Sequence, residues 1–231
     1  NSSAASDVYK RQVSKGYNVI GLDKLIYTNR FSISDIEDKD NFTFIEGDVL
    51  NIKLINSIFK TYQIDYVIHL AAIVGDPACS MHAERAVRVN YNATKFLANK
   101  ALRENVKLFI FASTCSVYGK VPAQKIVAED SEPKPISLYG WTKYLAERAI
   151  MRYSLKGLNY CILRFATVYG LSYRMRFDLI VNFFTLKAYL DKEIMILGGK
   201  QYRPFVHVED VAKAIELVIT EIKNSKNKVR G

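Results

Sequence analysis

The feature that most constrains this chain is an alternation. Short, nearly unbroken apolar runs, rich in β-branched and aromatic residues, are separated by stretches with helical spacing. The runs are "YNVIGLD" (17–23), "FTFIEGD" (42–48), "IDYVIHLAA" (64–72), "VKLFIFAST" (106–114) and "LNYCILRFATVYG" (158–170). Between them lie "NIKLINSIFKTY" (51–62), "AERAVRVNYNATKFLANKALREN" (83–105) and "SLYGWTKYLAERAIMRYSLKG" (137–157). In the last of these Ser137 is placed to cap the helix start and Gly157 to stop the helix. Strands without a polar face must be covered on both sides, which is the situation of a parallel sheet. Repeated strand–helix units with right-handed crossovers then predict an α/β fold with a doubly wound parallel sheet of the Rossmann type.

About half of the 231 residues are apolar, enough for a large core, and no run is long and apolar enough to span a membrane. Residues 1–12, "NSSAASDVYKRQ", are small and polar and read as a non-native leader outside the fold. Cys79, Cys115 and Cys161 show no paired spacing, which suits a reducing cytoplasm. His69, His82 and His207 are scattered and form no metal-ligand pair, so no metal is expected. The formal net charge of +10 is spread along the chain and reads as a solvated surface, not as a nucleic-acid or lipid footprint. Its one local cluster is the tail "EIKNSKNKVRG", expected to be frayed.

Ligands of doubly wound sheets sit outside the carboxyl ends of the strands. At these ends stand Asp23, suited to a ribose diol; Asp48 and Val49, suited to an adenine; and the small run Leu70, Ala71 and Ala72, which lets a backbone approach closely. Ordinary turn aspartates and tight helix–sheet packing would look the same. The fourth run ends in the hydroxyls Ser113, Thr114 and Ser116. Thr114 precedes Tyr139 by one strand–helix unit, so the crossover brings the start of the next helix beside this strand end.

The pattern Tyr-x-x-x-Lys occurs twice, at Tyr91/Lys95 and at Tyr139/Lys143. Residues four apart share a helix face. A nearby ammonium favours the phenolate of a tyrosine, whose reference pKa is about 10. Only Tyr139 and Lys143 follow a strand end with hydroxyls; Tyr91 and Lys95 lie inside a long helix. Asn90, beside the latter pair, is a polar group suited to bracing backbone or water.

The segments "GLD", "EGDV", "VIHLAA", "VNYNATK", "FASTCSVYG", "LYGWTK", "LRFATVYG" and "RPFVHVEDVAKAI", in this order, resemble extended short-chain dehydrogenases/reductases, and most closely the NAD-dependent epimerase/dehydratase branch. The resemblance covers about residues 13–220. It implies that Tyr139 is the acid/base, that Lys143 holds the nicotinamide ribose and that Thr114 is the catalytic Ser/Thr. It places Asp23, Asp48, Val49, Leu70, Ala71, Ala72, Asn90, Phe165 and Ala166 around NAD. Thr167, Asp178, Leu179 and Arg203 would meet a nucleotide-diphosphate sugar, with Arg203 clamping the diphosphate. Thr167 departs from the asparagine common in sugar epimerases. Dehydratases of this kind carry acids just after the catalytic threonine; here Cys115 and Ser116 stand there. The implied activity is therefore a nucleotide-sugar 4-epimerase, with a 4-reductase, decarboxylase, dehydratase or non-catalytic binding module as alternatives. A homodimer is the implied full-length assembly.

The resemblance also requires a G-x-x-G-x-x-G loop after a strand before Tyr17, and the sequence has none. The chain is therefore expected to lack the first, central strand and part of the substrate lobe. Residues 13–170 read as a partial NAD-binding domain and 171–231 as a partial substrate-binding region with one segment returning to the core. Weak NAD binding and no turnover are expected of the chain alone.

Overall fold

The structure is a computed structural model that describes residues 2–26, 30–122, 125–173, 175–199 and 202–224. The elements are α1 (Ser2–Ser14), β1 (Val19–Asp23), β2 (Phe42–Glu46), α2 (Ile52–Thr61), β3 (Tyr66–His69), α3 (Asp76–Met81) and α4 (Ala83–Val87). A π-turn (Arg88–Ala93) joins α4 to α5 (Thr94–Arg103). There follow β4 (Leu108–Thr114), a 3₁₀ turn (Cys115–Tyr118), α6 (Leu138–Ser154), β5 (Tyr160–Phe165), β6 (Thr167–Tyr169), α7 (Ile180–Leu190), β7 (Phe205–His207) and α8 (Val208–Asn224). Of the basic tail, residues 221–224 finish α8 and the others lie outside the described residues.

All observed strand pairings are parallel, as the apolar runs predict. β4 is the centre. Its side chains alternate between two helical layers, as the strand period of two requires. Phe109 and Phe111 pack with Ile55 of α2, Leu97 and Ala101 of α5, and Ala146 and Ile150 of α6. Leu108 and Ile110 point the other way, toward Val8 of α1 and Val211, Ile215 and Ile219 of α8. Helices thus cover both faces of the sheet.

Three expectations are corrected. Residues 1–12 are not outside the fold: within α1, Ala5, Val8 and Val13 are buried at helical spacing. Lys15 of the following turn reaches Glu216 of α8 at 3.2 Å, and Arg11 pairs with the same carboxylate. The long helix over 83–105 is broken by the π-turn, and a short helix, α3, precedes it. The run 158–170 forms two strands: β5 pairs with β4, while β6 leaves Ala166 to pair with β7, the Thr167 N–H donating to the Pro204 carbonyl at 3.1 Å. In keeping with the expected lack of the central strand, the strands form three hydrogen-bonded groups, β1–β2, β3–β4–β5 and β6–β7. Between β1 and β3 lies a slot with a volume of about 1200 Å³.

Candidate active site

Thr114 ends β4 in extended conformation and starts the 3₁₀ turn, its Oγ1 accepting from the Ser116 N–H at 3.1 Å. Ser137 caps α6 as expected, accepting from the Gly140 N–H at 3.2 Å. Gly140 sits where a Cβ would come within 2.9 Å of the Ser116 carbonyl, so the helix start lies against the turn that follows β4. This close approach puts Tyr139 beside Thr114, whose hydroxyl pulls the phenol's pKa down against burial. Tyr139 is 9% exposed and Lys143, one turn on, 2%. Lys143 Nζ donates to the Ala112 carbonyl at 2.7 Å and lies 4.6 Å from the centre of the Phe111 ring.

Burial dominates the electrostatics. It pushes the Tyr139 phenol up to about 12, against the pull of the Thr114 hydrogen bond and the Arg176 charge. It pushes Lys143 down to about 7, with Cys79 and Glu147 opposing. The phenol is therefore a proton donor at neutral pH, and turning it into a base requires positive charge to arrive beside it. Of the second Tyr-x-x-x-Lys match, Tyr91 packs against the core and Lys95 is exposed. The strand-end pair is the one that meets a hydroxyl.

Beneath the trio lies a buried ionic cluster. Glu147, 0% exposed and one turn beyond Lys143, accepts from the Ser113 hydroxyl. Arg164 of β5 binds it with two nitrogens, Nε to Oε1 at 3.1 Å and Nη2 to Oε2 at 2.7 Å. Arg164 Nη1 also donates to the Tyr118 hydroxyl at 2.9 Å. The cluster ties α6, β4, β5 and the 3₁₀ turn together. Its signals in the sequence were a charge inside an apolar strand, "CILRF", and an acid on the inner face of α6.

Asn90 lies in the π-turn, fully buried. Its Oδ1 accepts from the Ile73 N–H at 2.8 Å, and its Nδ2 donates to the Ile73 carbonyl at 2.9 Å and to Thr142 Oγ1 at 3.2 Å. It braces the main chain of Ile73, just past β3. A π-turn re-aims side chains without ending a helix, and such turns concentrate at functional sites.

The other residues fall into two groups. Phe165 pairs in register with Thr114, with Ala166 and Thr167 next along the chain, so all three share the strand-end region. Arg203 precedes β7; burial raises the Cys115 thiol, and the Arg203 charge acts weakly against this. Asp178 pairs with Arg176 at 3.0 Å, and Leu179 starts α7. Arg176 was missed in the sequence; its guanidinium lies within 3.6 Å of the Cβ position of Gly75 and acts on the Tyr139 phenol. The second group lies around the slot, Asp23, Asp48 and Val49 with β1 and β2 and Leu70–Ala72 after β3. Asp23 ends β1 and accepts from the Leu25 N–H at 2.7 Å. Asp48 follows β2 and binds Lys24 at 2.7 Å. Burial raises its carboxyl, but Lys24 and the Leu50 N–H outweigh this and hold it below the usual range. Val49 packs at the edge of the core, and Leu70 and Ala71 line the slot, with Ala72 following.

Residues 5–229 match the profile of the NAD dependent epimerase/dehydratase family. The chain belongs to this family. It is 32% identical over 213 residues to the uncharacterized UDP-glucose epimerase YtcB of Bacillus subtilis, a match covering 89% of this chain and 65% of that protein. It is 30% identical over 208 residues to the mouse (Mus musculus) dTDP-D-glucose 4,6-dehydratase, covering 89% and 58%. The chain thus spans less than two thirds of the length of these curated relatives. A crystal structure of UDP-glucuronic acid 4-epimerase from Bacillus cereus, in complex with UDP-glucuronic acid and NAD, superposes with a TM-score of 0.81 at 28% identity, covering 98% of this chain and 71% of that one.

Proposed function

We propose that this chain carries the catalytic face of an NAD-dependent nucleotide-sugar 4-epimerase. The observation that supports it most is the Tyr139 phenol beside the Thr114 hydroxyl at the carboxyl end of β4, with buried Lys143 one turn on along α6 and bonded to the Ala112 carbonyl. The donor set suits NAD: Lys143 spends one of three N–H bonds on Ala112, leaving donors for a ribose diol, and Asp23 offers a carboxylate at the end of β1. Bound there, NAD would supply a reversible hydride acceptor for the hydrogen on the sugar C4. Tyr139 holds and moves the proton of the sugar 4-hydroxyl, and Thr114 orients that hydroxyl by sharing its hydrogen bond. In its protonated form Lys143 adds positive charge on the helix face it shares with Tyr139, which favours the phenolate. Arg176 and Arg203 supply cations at the mouth for a diphosphate. Thr167, Asp178 and Leu179 would border the sugar nucleotide.

Dehydration is disfavoured because Cys115 and Ser116 follow Thr114 where an acid/base pair would be needed. Homodimer assembly belongs to the same proposal, supported by exposed Trp141 and Leu145 at i, i+4 on α6. A cytoplasmic setting is supported by three free cysteines. Among the described residues no helix is long and apolar enough to cross a membrane. The test is product analysis with UDP-glucose, UDP-galactose and UDP-glucuronate, using the protein that carries this segment. C4-epimer formation supports the reading; a 6-deoxy-4-keto product, or no reaction at C4, contradicts it.

A further inference from the structure

Tyr139, Lys143 and Glu147 stand four residues apart along α6, on one face, and all three are buried. This face meets three consecutive residues of β4. Tyr139 lies beside Thr114, Lys143 donates to the Ala112 carbonyl, and Glu147 accepts from the Ser113 hydroxyl. Arg164 stands opposite Ser113 in the β4–β5 register, so it reaches Glu147 from the neighbouring strand. Each of its three nitrogens donates inside the protein: Nε and Nη2 to Glu147, and Nη1 to the Tyr118 hydroxyl and, at 3.2 Å, to the Glu129 carbonyl. Glu147, 0% exposed, is out of reach of any substrate. A buried ion pair adds little net stability over an apolar pair of similar volume, so its place under the site calls for another reason.

The surroundings of Lys143 supply one. Around Lys143 and Glu147 stand Cys79 of α3, His69 of β3, Cys115 and Tyr118 of the 3₁₀ turn, Tyr139 of α6 and Arg164 of β5. Burial holds the Cys79 thiol up at about 11, the Tyr139 phenol up at about 12 and His69 down at about 3, so none of these three is charged at neutral pH. Glu84, Arg85 and Lys95, on the helices packed against α6, are exposed. Burial is the main force on Lys143 and lowers it; Cys79 and Glu147 act the other way. With the Cys79 thiol protonated, the opposing charge at neutral pH is that of the Glu147 carboxylate.

We propose that Glu147, held by Ser113 and Arg164, is a positioning residue for the Tyr139–Lys143 pair: it seats this face of α6 on the end of β4, and it supplies the buried negative charge that keeps Lys143 an ammonium. With its oxygens taken by Ser113 and Arg164, the carboxylate acts on Lys143 through space, and the ammonium keeps donors for a cofactor. The catalytic consequence rests on the activity proposed above; the charge of Lys143 does not.

The protein carrying this segment is labelled at lysine Cε, and the Lys143 resonance, the one missing from Lys143→Met, is followed by NMR through a pH titration without cofactor. Glu147→Gln keeps the side-chain size and an acceptor for Ser113 and removes the charge. Its Lys143 midpoint is expected about one pH unit below that of the wild type, a tenfold loss of proton affinity. The double variant Glu147→Gln/Arg164→Gln, in which two amides replace the ion pair, is expected to shift the same way, and it carries the test if the single variant does not fold. In the epimerase assay at neutral pH, kcat of Glu147→Gln is expected to fall about fivefold, as the protonated fraction of Lys143 does, with KM for the sugar nucleotide level. A cluster that only holds the fold would, once broken, admit water and move Lys143 upward toward 10.5. An upward or unchanged Lys143 midpoint therefore overturns the inference, and so does a rise in KM with kcat unchanged. If the wild type forms no C4 epimer, the proposed activity fails and the Lys143 titration alone decides.

Discussion

At the scale of single residues, Lys143 and Glu147 carry the sharpest consequences. Folding lowers Lys143 from 10.5 to about 7, so between these values the unfolded chain binds the extra proton and stability rises with pH. Tyr139 acts in the opposite sense at higher pH. Raised from 10.0 to about 12, it keeps in the folded state a proton the unfolded chain has released, so stability falls above pH 10. Cys79, raised from 9.0 to about 11, opposes the climb from pH 9 upward in the same way as Tyr139. Urea midpoints are therefore expected to climb from pH 7 toward 9 and to decline above 10, and Lys143→Met should flatten the climb. A wild-type midpoint that stays level over this range would show that Lys143 is not held neutral by burial. Glu147→Ala leaves Arg164 in the cluster without its carboxylate, at a cost of about 3–5 kcal/mol in urea unfolding. A loss below 1 kcal/mol, the range of an exposed pair, would mean that the cluster is solvated.

At the scale of elements, the π-turn and the start of α6 set the site. Asn90→Leu removes four hydrogen bonds and leaves the Ile73 N–H without its partner, while the Ile73 carbonyl keeps the Cys79 thiol. A destabilisation of about 1–3 kcal/mol is expected, and exchange at the Ile73 amide should speed up more than elsewhere. Uniform loss of protection would assign Asn90 to general packing. Most elements were legible because periodicity reports burial: the apolar runs gave β1 to β5 within a few residues, and "SLYGWTK" gave the cap and the catalytic face of α6. The π-turn was not legible, because helical spacing continues through 83–105 and the interruption depends on Asn90 reaching a distant backbone. The break at Ala166 was hidden in the same way. β6 turns away because it pairs with β7, about forty residues later, and an apolar run does not reveal its partner. Arg176 and the Glu147–Arg164 cluster were missed because each depends on contacts between segments far apart in sequence.

At the scale of the whole molecule, the site is divided. The trio Thr114, Tyr139 and Lys143 stands on the β3–β4–β5 side, and Asp23, Asp48 and Val49 stand with β1 and β2 across the slot. A dinucleotide must span both groups, so its affinity depends on how firmly they are joined. We expect the 231 residues alone to bind NAD weakly, with calorimetric dissociation constants well above micromolar. Micromolar binding would mean that the two groups are already held in place. The central claim, that the trio performs proton transfer at a sugar C4 hydroxyl, has one direct test. The protein carrying this segment is assayed for C4 epimerisation of UDP-glucose, UDP-galactose and UDP-glucuronate, as wild type and as Tyr139→Phe. The account predicts a wild-type C4 epimer from at least one of them and a fall of about 10²–10⁴-fold in the variant with its fold intact. A Tyr139→Phe protein that turns over at close to the wild-type rate would contradict it.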